Sequence, residues 1–206
     1  MKSKIGIIVV SLLLLGVVFG ASVLYNYLSK NVETDQLNVA EDSQEESEKM
    51  ENSDELNDGS SKDAAKAPDF TVYDYEGNYY KLSVFEGKPV IVNFWASWCS
   101  PCKREMPDFE EAFKKYGEDI HFLMINLTDG YQETVESAKE FVENTEYTFP
   151  VYYDSDQNAA RTYGIYSIPT TLFIDEGGHI KAHAQGAIDA KTLEEGIGYI
   201  YSVEAK

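Results

Sequence analysis

The sequence predicts an α/β fold in which helices flank a mixed β-sheet. Short apolar runs typical of buried strands alternate with stretches in which apolar residues recur at helical spacing. Near the carboxyl end, a turn at residues 176–178 joins two predicted strands, as in a β-hairpin. The alternation favours a layered sheet with helices packed on it, and the hairpin makes that sheet mixed.

Residues 1–30 are predicted to form one transmembrane helix that precedes this fold. Residues 5–28 carry no charge, and about twenty of them would span a bilayer core of roughly 30 Å. Lys2 and Lys4 precede the run, so the positive-inside rule places the rest of the chain on the extracytoplasmic side. The alternative is a cleaved signal peptide, whose apolar region should be only about 7 to 15 residues long. Both interpretations predict export, and the favoured one is a single-pass protein of the cell membrane.

Acidic residues dominate residues 31–66, which are predicted to be a disordered linker. This segment consists mainly of Asp, Glu, Ser and Asn, so it cannot bury enough apolar surface to offset the entropy of ordering. The whole chain has a formal net charge of -19. Such a surface repels phosphate groups, which argues against nucleic acid as a partner.

The folded domain is predicted to cover residues 67–206 and to begin with a hairpin whose turn lies at residues 76–78. A continuous apolar run at residues 90–95 is typical of a strand covered on both faces. The next helix starts at Pro101 and contains Pro107, which predicts a kink. The later predictions are strands at 121–126 and 150–153, helices at 133–143 and 158–163, two strands around the turn at 176–178, and a closing helix at 190–201.

Cys99 and Cys102 are the only cysteines, and two residues separate them. A structural disulfide across so short a loop would constrain little of the unfolded chain and stabilise little. Zinc would need two more ligands, for which the chain offers only His121, His179 and His183. Redox catalysis needs the pair at the start of a helix that follows a strand, and the sequence supplies that context. The spacing therefore favours a redox-active disulfide.

The stretches NFWASWCSPC and SIPTTLFID resemble the thioredoxin superfamily, and the flanking features resemble its membrane-anchored TlpA/ResA-like branch. That branch also begins with an APDF-type hairpin and has an extra segment between its central βα units, here residues 128–152. The resemblance covers about residues 67–205. It implies a thioredoxin-like fold and an extracytoplasmic thiol-disulfide oxidoreductase whose redox-active disulfide needs no further cofactor.

The two cysteines are expected to have different roles. Cys99 should be exposed at the helix N-terminus, where the dipole and free amide hydrogens stabilise a thiolate, and should be the nucleophile. Cys102, one helical turn in and more buried, would attack the mixed disulfide and release the product. Ser100 and Pro101 between them would contact substrate and tune the reduction potential, since Pro101 removes a donor and stiffens the turn.

The resemblance also implies a substrate-binding surface beside the cysteines. Pro169 matches the cis-proline of the superfamily, although a trans bond is the more frequent state of an X-Pro peptide. Ile168 would lie across from the cysteines and pair through its backbone with an extended substrate. Trp98 resembles an aromatic wall of the site, whereas core packing explains Trp95 at least as well.

The proton carrier of the site is expected to be Glu105. Thioredoxins proper have a buried aspartate where this chain has Asn93, which cannot accept a proton. Glu105 shares a helix face with Cys102 and matches a glutamate that the ResA-like branch keeps near its active site. It could therefore manage the proton of Cys102. The alternative is a solvated helical glutamate.

The implied function is a membrane-tethered reductase of disulfides in exported proteins, for example apocytochrome c or envelope proteins. Its electrons would come from a transmembrane thiol carrier of the CcdA/DsbD kind. One alternative is an oxidase that donates disulfides; a peroxidase is disfavoured because Ala96 stands where that pattern wants Thr or Ser. A copper metallochaperone would use the same thiols as soft ligands, but helical periodicity explains Met106, the only soft side chain nearby, as a core residue. No metal site is expected for the favoured function.

Overall fold

The computed structural model describes residues 37–39 and 65–202. Within them, eight strands form one mixed sheet. The strands are β1 (Leu37–Val39), β2 (Thr71–Tyr73), β3 (Tyr79–Lys81), β4 (Val90–Trp95), β5 (His121–Asn126), β6 (Val151–Tyr153), β7 (Thr170–Ile174) and β8 (Ile180–Gln185). Their order across the sheet is β1-β8-β7-β4-β5-β6-β2-β3. The predicted mixed sheet and the amino-terminal hairpin of β2 and β3 are thereby confirmed.

Four α-helices accompany this sheet in the described residues: α1 (Ser100–Tyr116), α2 (Val135–Thr145), α3 (Asn158–Thr162) and α4 (Ala190–Ile200). A short 3₁₀ helix, Leu82–Phe85, follows β3. Helix α2 begins two residues later than predicted because Thr134 caps it: the Thr134 hydroxyl accepts the Ser137 N–H at 3.1 Å. The predicted extra segment at residues 128–152 contains α2 and the start of β6.

Strand β4 is the centre of the sheet and brings the two site segments together. It pairs in parallel with β5 and antiparallel with β7, with Phe94 opposite Thr170. The carboxyl end of β4, which leads to the cysteines, therefore meets the amino end of β7, which follows Pro169. Alternate residues of β4 enter two separate apolar clusters, because successive side chains of a strand point to opposite faces.

Most of the predicted linker at residues 31–66 lies outside the described residues, but two short parts of it are described. Leu37–Val39 forms strand β1, which pairs antiparallel with β8. Ala65 is also ordered, since its carbonyl oxygen accepts the Ile180 N–H at 3.1 Å. An open sheet edge offers unpaired backbone groups, so a short segment can add to it through backbone hydrogen bonds alone.

The predicted anchor at residues 1–30 lies outside the described residues. Of the helices that the structure describes in residues 37–39 and 65–202, none is long and apolar enough to cross a membrane.

Candidate active site

Cys99 and Cys102 form a disulfide at the amino end of α1. Cys99 is the N-cap residue, and its Sγ accepts the backbone N–H of Cys102 at 3.2 Å. Pro101 lies in the first turn, where a helix needs no backbone N–H. Once the disulfide is reduced, the same amide and the positive end of the helix would stabilise a thiolate on Cys99.

The prediction that Cys99 is exposed is wrong for this oxidised form. Cys99 is only 3% exposed, and Cys102 is fully buried. The carbonyl oxygen of Ile168 lies 3.8 Å from Cys99 Sγ. This is a packing contact, because a disulfide sulfur carries no hydrogen to donate. The segment before β7 therefore contacts the reactive sulfur, a tertiary contact that local spacing does not encode.

The predicted substrate-binding residues surround the disulfide. The peptide bond between Ile168 and Pro169 is cis, which confirms the conformation implied by the resemblance. Trp98 and Ser100 are exposed beside the motif, whereas Pro169 is buried. Trp98 and Ile168 share the lining of a shallow groove of about 220 Å³. Trp95 is fully buried, as core packing predicts. The contact of these residues with substrate remains a prediction.

Glu105 is buried on α1, three residues after Cys102, so the alternative of a solvated glutamate is wrong. Its carboxylate is 1% exposed and accepts hydrogen bonds from Asn93 Nδ2 at 2.9 Å and from the Ile188 backbone N–H at 3.0 Å. Burial raises the pKa of this carboxyl from 4.5 to about 7, against the opposing effect of those two hydrogen bonds. Near neutral pH the group can therefore either accept or donate a proton.

A second buried carboxylate, Glu133, holds the segment in front of the cysteines, and the sequence analysis missed it. Glu133 accepts the Ser97 N–H at 2.9 Å and the Ser97 hydroxyl at 2.7 Å. Asn126 Nδ2 also donates to it, at 2.7 Å. Glu133 comes from the loop before α2, 31 residues after Cys102 in the chain, so spacing around the cysteines gives no signal for it. The polar run TDGYQET after an apolar strand could have marked that loop as structured.

In the described residues, no three His, Cys, Asp or Glu side chains come together as a set of metal ligands. The chemistry that the arrangement supports is thiol-disulfide exchange. Cys99, which caps α1, would react, and the buried Glu105 carboxyl would hold or release a proton.

A family model described as the AhpC/TSA family matches residues 64–183, more than half of the chain. The chain belongs to the AhpC/TSA family. Among relatives of this AhpC/TSA chain, the thiol-disulfide oxidoreductase ResA of Bacillus thuringiensis subsp. konkukian is 36% identical over 131 residues, which cover 63% of this chain and 73% of ResA. The predicted resemblance to the ResA-like branch is confirmed.

Solved structures agree with that assignment. StoA from Bacillus subtilis superposes with a TM-score of 0.55 at 28% identity, over 63% of this chain and 96% of StoA. The exposed lipoprotein thioredoxin Etrx1 from Streptococcus pneumoniae strain TIGR4 gives a TM-score of 0.56 at 32% identity, over 64% and 98%. This member of the AhpC/TSA family is thus a thiol-disulfide oxidoreductase of the ResA/StoA type, with a thioredoxin-like fold and a Cys99–Cys102 pair.

Proposed function

We propose that this oxidoreductase is tethered to the membrane on its extracytoplasmic side and reduces disulfides in exported proteins. The uncharged run at residues 5–28 supports the tether and the orientation. The observation that carries the reaction is the Cys99–Cys102 disulfide capping α1, with Glu105 buried one helical turn beyond Cys102. Substrate proteins would be of the kind that present paired cysteines outside the membrane, such as apocytochrome c or envelope proteins.

The reduced protein carries two thiols, and each cycle transfers two electrons. The Cys99 thiolate attacks one sulfur of the substrate disulfide, forms a mixed disulfide and releases the other substrate sulfur as a thiolate. Cys102 then loses its proton to the Glu105 carboxylate and attacks Cys99 Sγ. This step breaks the mixed disulfide, releases the second substrate thiolate and leaves the Cys99–Cys102 disulfide described above.

Renewed reduction of that disulfide requires an electron source, because the medium outside the membrane is oxidising. We assign this role to a transmembrane thiol carrier of the CcdA/DsbD kind, which would attack the disulfide by the same exchange chemistry. Glu105 would return the proton to Cys102 in that half of the cycle. A pKa of about 7 suits both directions, because the carboxyl is then close to half protonated at neutral pH.

The reduction potential separates a reductase from a disulfide-donating oxidase. We expect a value at or below about −250 mV when the full-length protein is equilibrated with dithiothreitol or glutathione buffers. A value near about −120 mV would instead indicate an oxidase. Stoichiometric, tight Cu(I) binding by the reduced protein without any disulfide reductase activity would contradict both the reductase and the oxidase. It would favour the copper metallochaperone.

Replacement of the second cysteine should trap substrates. In Cys102→Ala, Cys99 can still attack, but no thiol remains to resolve the mixed disulfide. We expect covalent adducts with exported proteins, recovered in the membrane fraction and released by dithiothreitol on non-reducing gels. The matched control is the double variant Cys99→Ala, Cys102→Ala, which should give no adducts. Adducts with cytoplasmic proteins alone would contradict the orientation, and equal trapping by Cys99→Ala would contradict the assignment of the nucleophile.

A further inference from the structure

The side-chain amide of Asn93 is satisfied at only one of its two ends. Asn93 is fully buried on β4. Its Nδ2 donates to Glu105 Oε1 at 2.9 Å and to Thr171 Oγ1 at 3.1 Å. Its Oδ1 is also buried and has no hydrogen-bond partner among the residues that the structure describes. A buried carbonyl without a donor is costly, so an explanation for this arrangement is needed.

A second trio of the same residue types shows what a fully satisfied arrangement looks like. Asn126 is fully buried, and its Nδ2 donates to Glu133 Oε1 at 2.7 Å. Its Oδ1 accepts the Thr128 hydroxyl at 2.9 Å. Both ends of this amide are therefore paired, and a half-turn would break both hydrogen bonds. Asn126 is therefore held at both ends, whereas Asn93 is held through Nδ2 alone.

We propose that the Asn93 amide turns by half a rotation when Glu105 changes its protonation state, so that one side chain serves both forms of the acid. An ionised carboxylate only accepts hydrogen bonds, and it is served by Nδ2 as described. A protonated Glu105 carries an O–H that needs an acceptor, which the turned Oδ1 supplies. The two lone pairs of Oδ1 then take the directions that the two Nδ2 hydrogens had.

Thr171 permits this exchange because a hydroxyl both donates and accepts. Its Oγ1 accepts from Nδ2 in the ionised form and would donate to Oδ1 in the protonated form. The other partner of Glu105, the Ile188 N–H, is a backbone donor and cannot reverse. Asn93 is therefore the partner of Glu105 that must change its hydrogen bond when the carboxyl gains a proton. In the turned form Nδ2 takes the unpaired place that Oδ1 has now, so each form leaves one end of the amide free.

The inference rests on the proposed function, in which Glu105 exchanges a proton with Cys102. Cys102–SH and the Glu105 carboxylate become the Cys102 thiolate and the carboxylic acid, and no other atom is transferred. The groups that face Glu105 are Asn93 on β4, the Ile188 N–H before α4, and Asp108 on α1, whose negative charge favours the protonated form. Asn93 acts here as a positioning residue, since it touches the proton carrier and not the sulfur atoms.

Nuclear magnetic resonance of the oxidised full-length protein tests the turn, because the disulfide cannot titrate in that form. With ¹⁵N-labelled Asn and ¹³C-labelled Glu, the Glu105 carboxyl carbon reports its protonation between about pH 5 and 9. We expect the Asn93 side-chain amide resonances to shift with the same midpoint. Cross-peaks from the Asn93 amide hydrogens to the Thr171 side chain should be strong above that midpoint and lost below it.

Two controls belong to the same experiment. The Asn126 amide should not follow the Glu105 midpoint, because its partners are Glu133 and Thr128 and it bonds neither Glu105 nor Thr171. In Glu105→Gln, the Asn93 resonances should become independent of pH. If Glu105 titrates while the Asn93 cross-peaks stay constant, the proposed rotation of the Asn93 amide is wrong, but the role of Glu105 as proton carrier is not contradicted. If Glu105 does not titrate in this range, both are wrong.

Discussion

Replacement of Glu105 by Gln is expected to slow single-turnover reduction of a disulfide substrate by about 10²-fold at pH 7. The amide is nearly isosteric with the carboxylate, so the fold is retained, but it cannot take the proton that Cys102 loses. The thiol of Cys102 should also titrate at lower pH, because the repulsion between a carboxylate and a thiolate is gone. Stopped-flow measurements and alkylation rates from about pH 5 to 10 would report both effects.

The same substitution should change how stability depends on pH. Folding raises the pKa of Glu105 from 4.5 to about 7, so the folded protein binds this proton more tightly than the unfolded chain. The stability that the protonated Glu105 carboxyl contributes is fully present below pH 4.5 and is lost as the pH rises through about 7. The loss is about 3 kcal/mol. We therefore expect the free energy of unfolding of the oxidised parent to fall by about that amount relative to Glu105→Gln across this interval.

Glu110→Gln is a matched control on the same helix. Glu110 is also buried, but it accepts the Thr148 N–H at 2.8 Å and the Thr148 hydroxyl at 2.7 Å. Burial alone would raise its pKa, yet these hydrogen bonds and Lys114 outweigh burial and lower it. Its contribution to stability is therefore present at neutral pH and lost as the pH falls, the opposite sign to Glu105. The rates of disulfide reduction by Glu110→Gln should match those of the parent. Superimposable pH profiles for Glu105→Gln and the parent would contradict the role of Glu105 as proton carrier.

Replacement of Gly196 by Ala should destabilise the domain by about 1 to 3 kcal/mol. Gly196 lies on α4 against β7, and an added Cβ would be 2.2 Å from Cζ of Phe173. Phe173 is fully buried, so its ring cannot move aside into solvent. Alanine favours a helix over glycine by up to about 1 kcal/mol, which offsets only part of this overlap. Denaturant unfolding followed by circular dichroism would measure the difference.

Gly198, two residues further along the same helix, provides the control for this substitution. Its added Cβ would meet nothing within 4 Å, so Gly198→Ala should be neutral or stabilising by the helix-propensity difference alone. Phe173→Leu should relieve part of the overlap, so the double variant with Gly196→Ala should lose less stability than the sum of the two single variants. Equal effects at Gly196 and Gly198 would contradict the close approach of α4 to β7.

Features with a local cause could be predicted from the sequence. The run at Val90–Trp95 has the composition of a buried strand and is one. The position of Cys99 before a helix with Pro at its start predicted the capped disulfide. His121–Asn126 is a strand with the predicted bounds, because both ends are marked by polar residues. In each case the residues that decide the structure lie within a few positions of one another.

Features that depend on distant partners could not be predicted. Spacing gives no signal for the contact of Ile168 with Cys99, which only the family resemblance implied, or for the hold of Glu133 on Ser97. Gly196 looks unfavourable within a helix by propensity, and only the ring of Phe173 explains it. Strand β1 lies in a segment whose composition indicates disorder, yet β8 offers it a free edge. Composition and spacing describe a segment, whereas these contacts belong to pairs of segments.

Ile168 joins the reactive sulfur to the interior of the whole domain. Its side chain packs against both apolar clusters, and its carbonyl oxygen contacts Cys99 Sγ. Oxidation and folding therefore form one thermodynamic cycle, in which any change that stabilises the folded disulfide form more than the folded dithiol form lowers the reduction potential. For this two-electron couple, about 1.4 kcal/mol corresponds to about 30 mV. Core substitutions far from the cysteines can thus adjust the driving force of the exchange without altering the Ser100–Pro101 dipeptide between them.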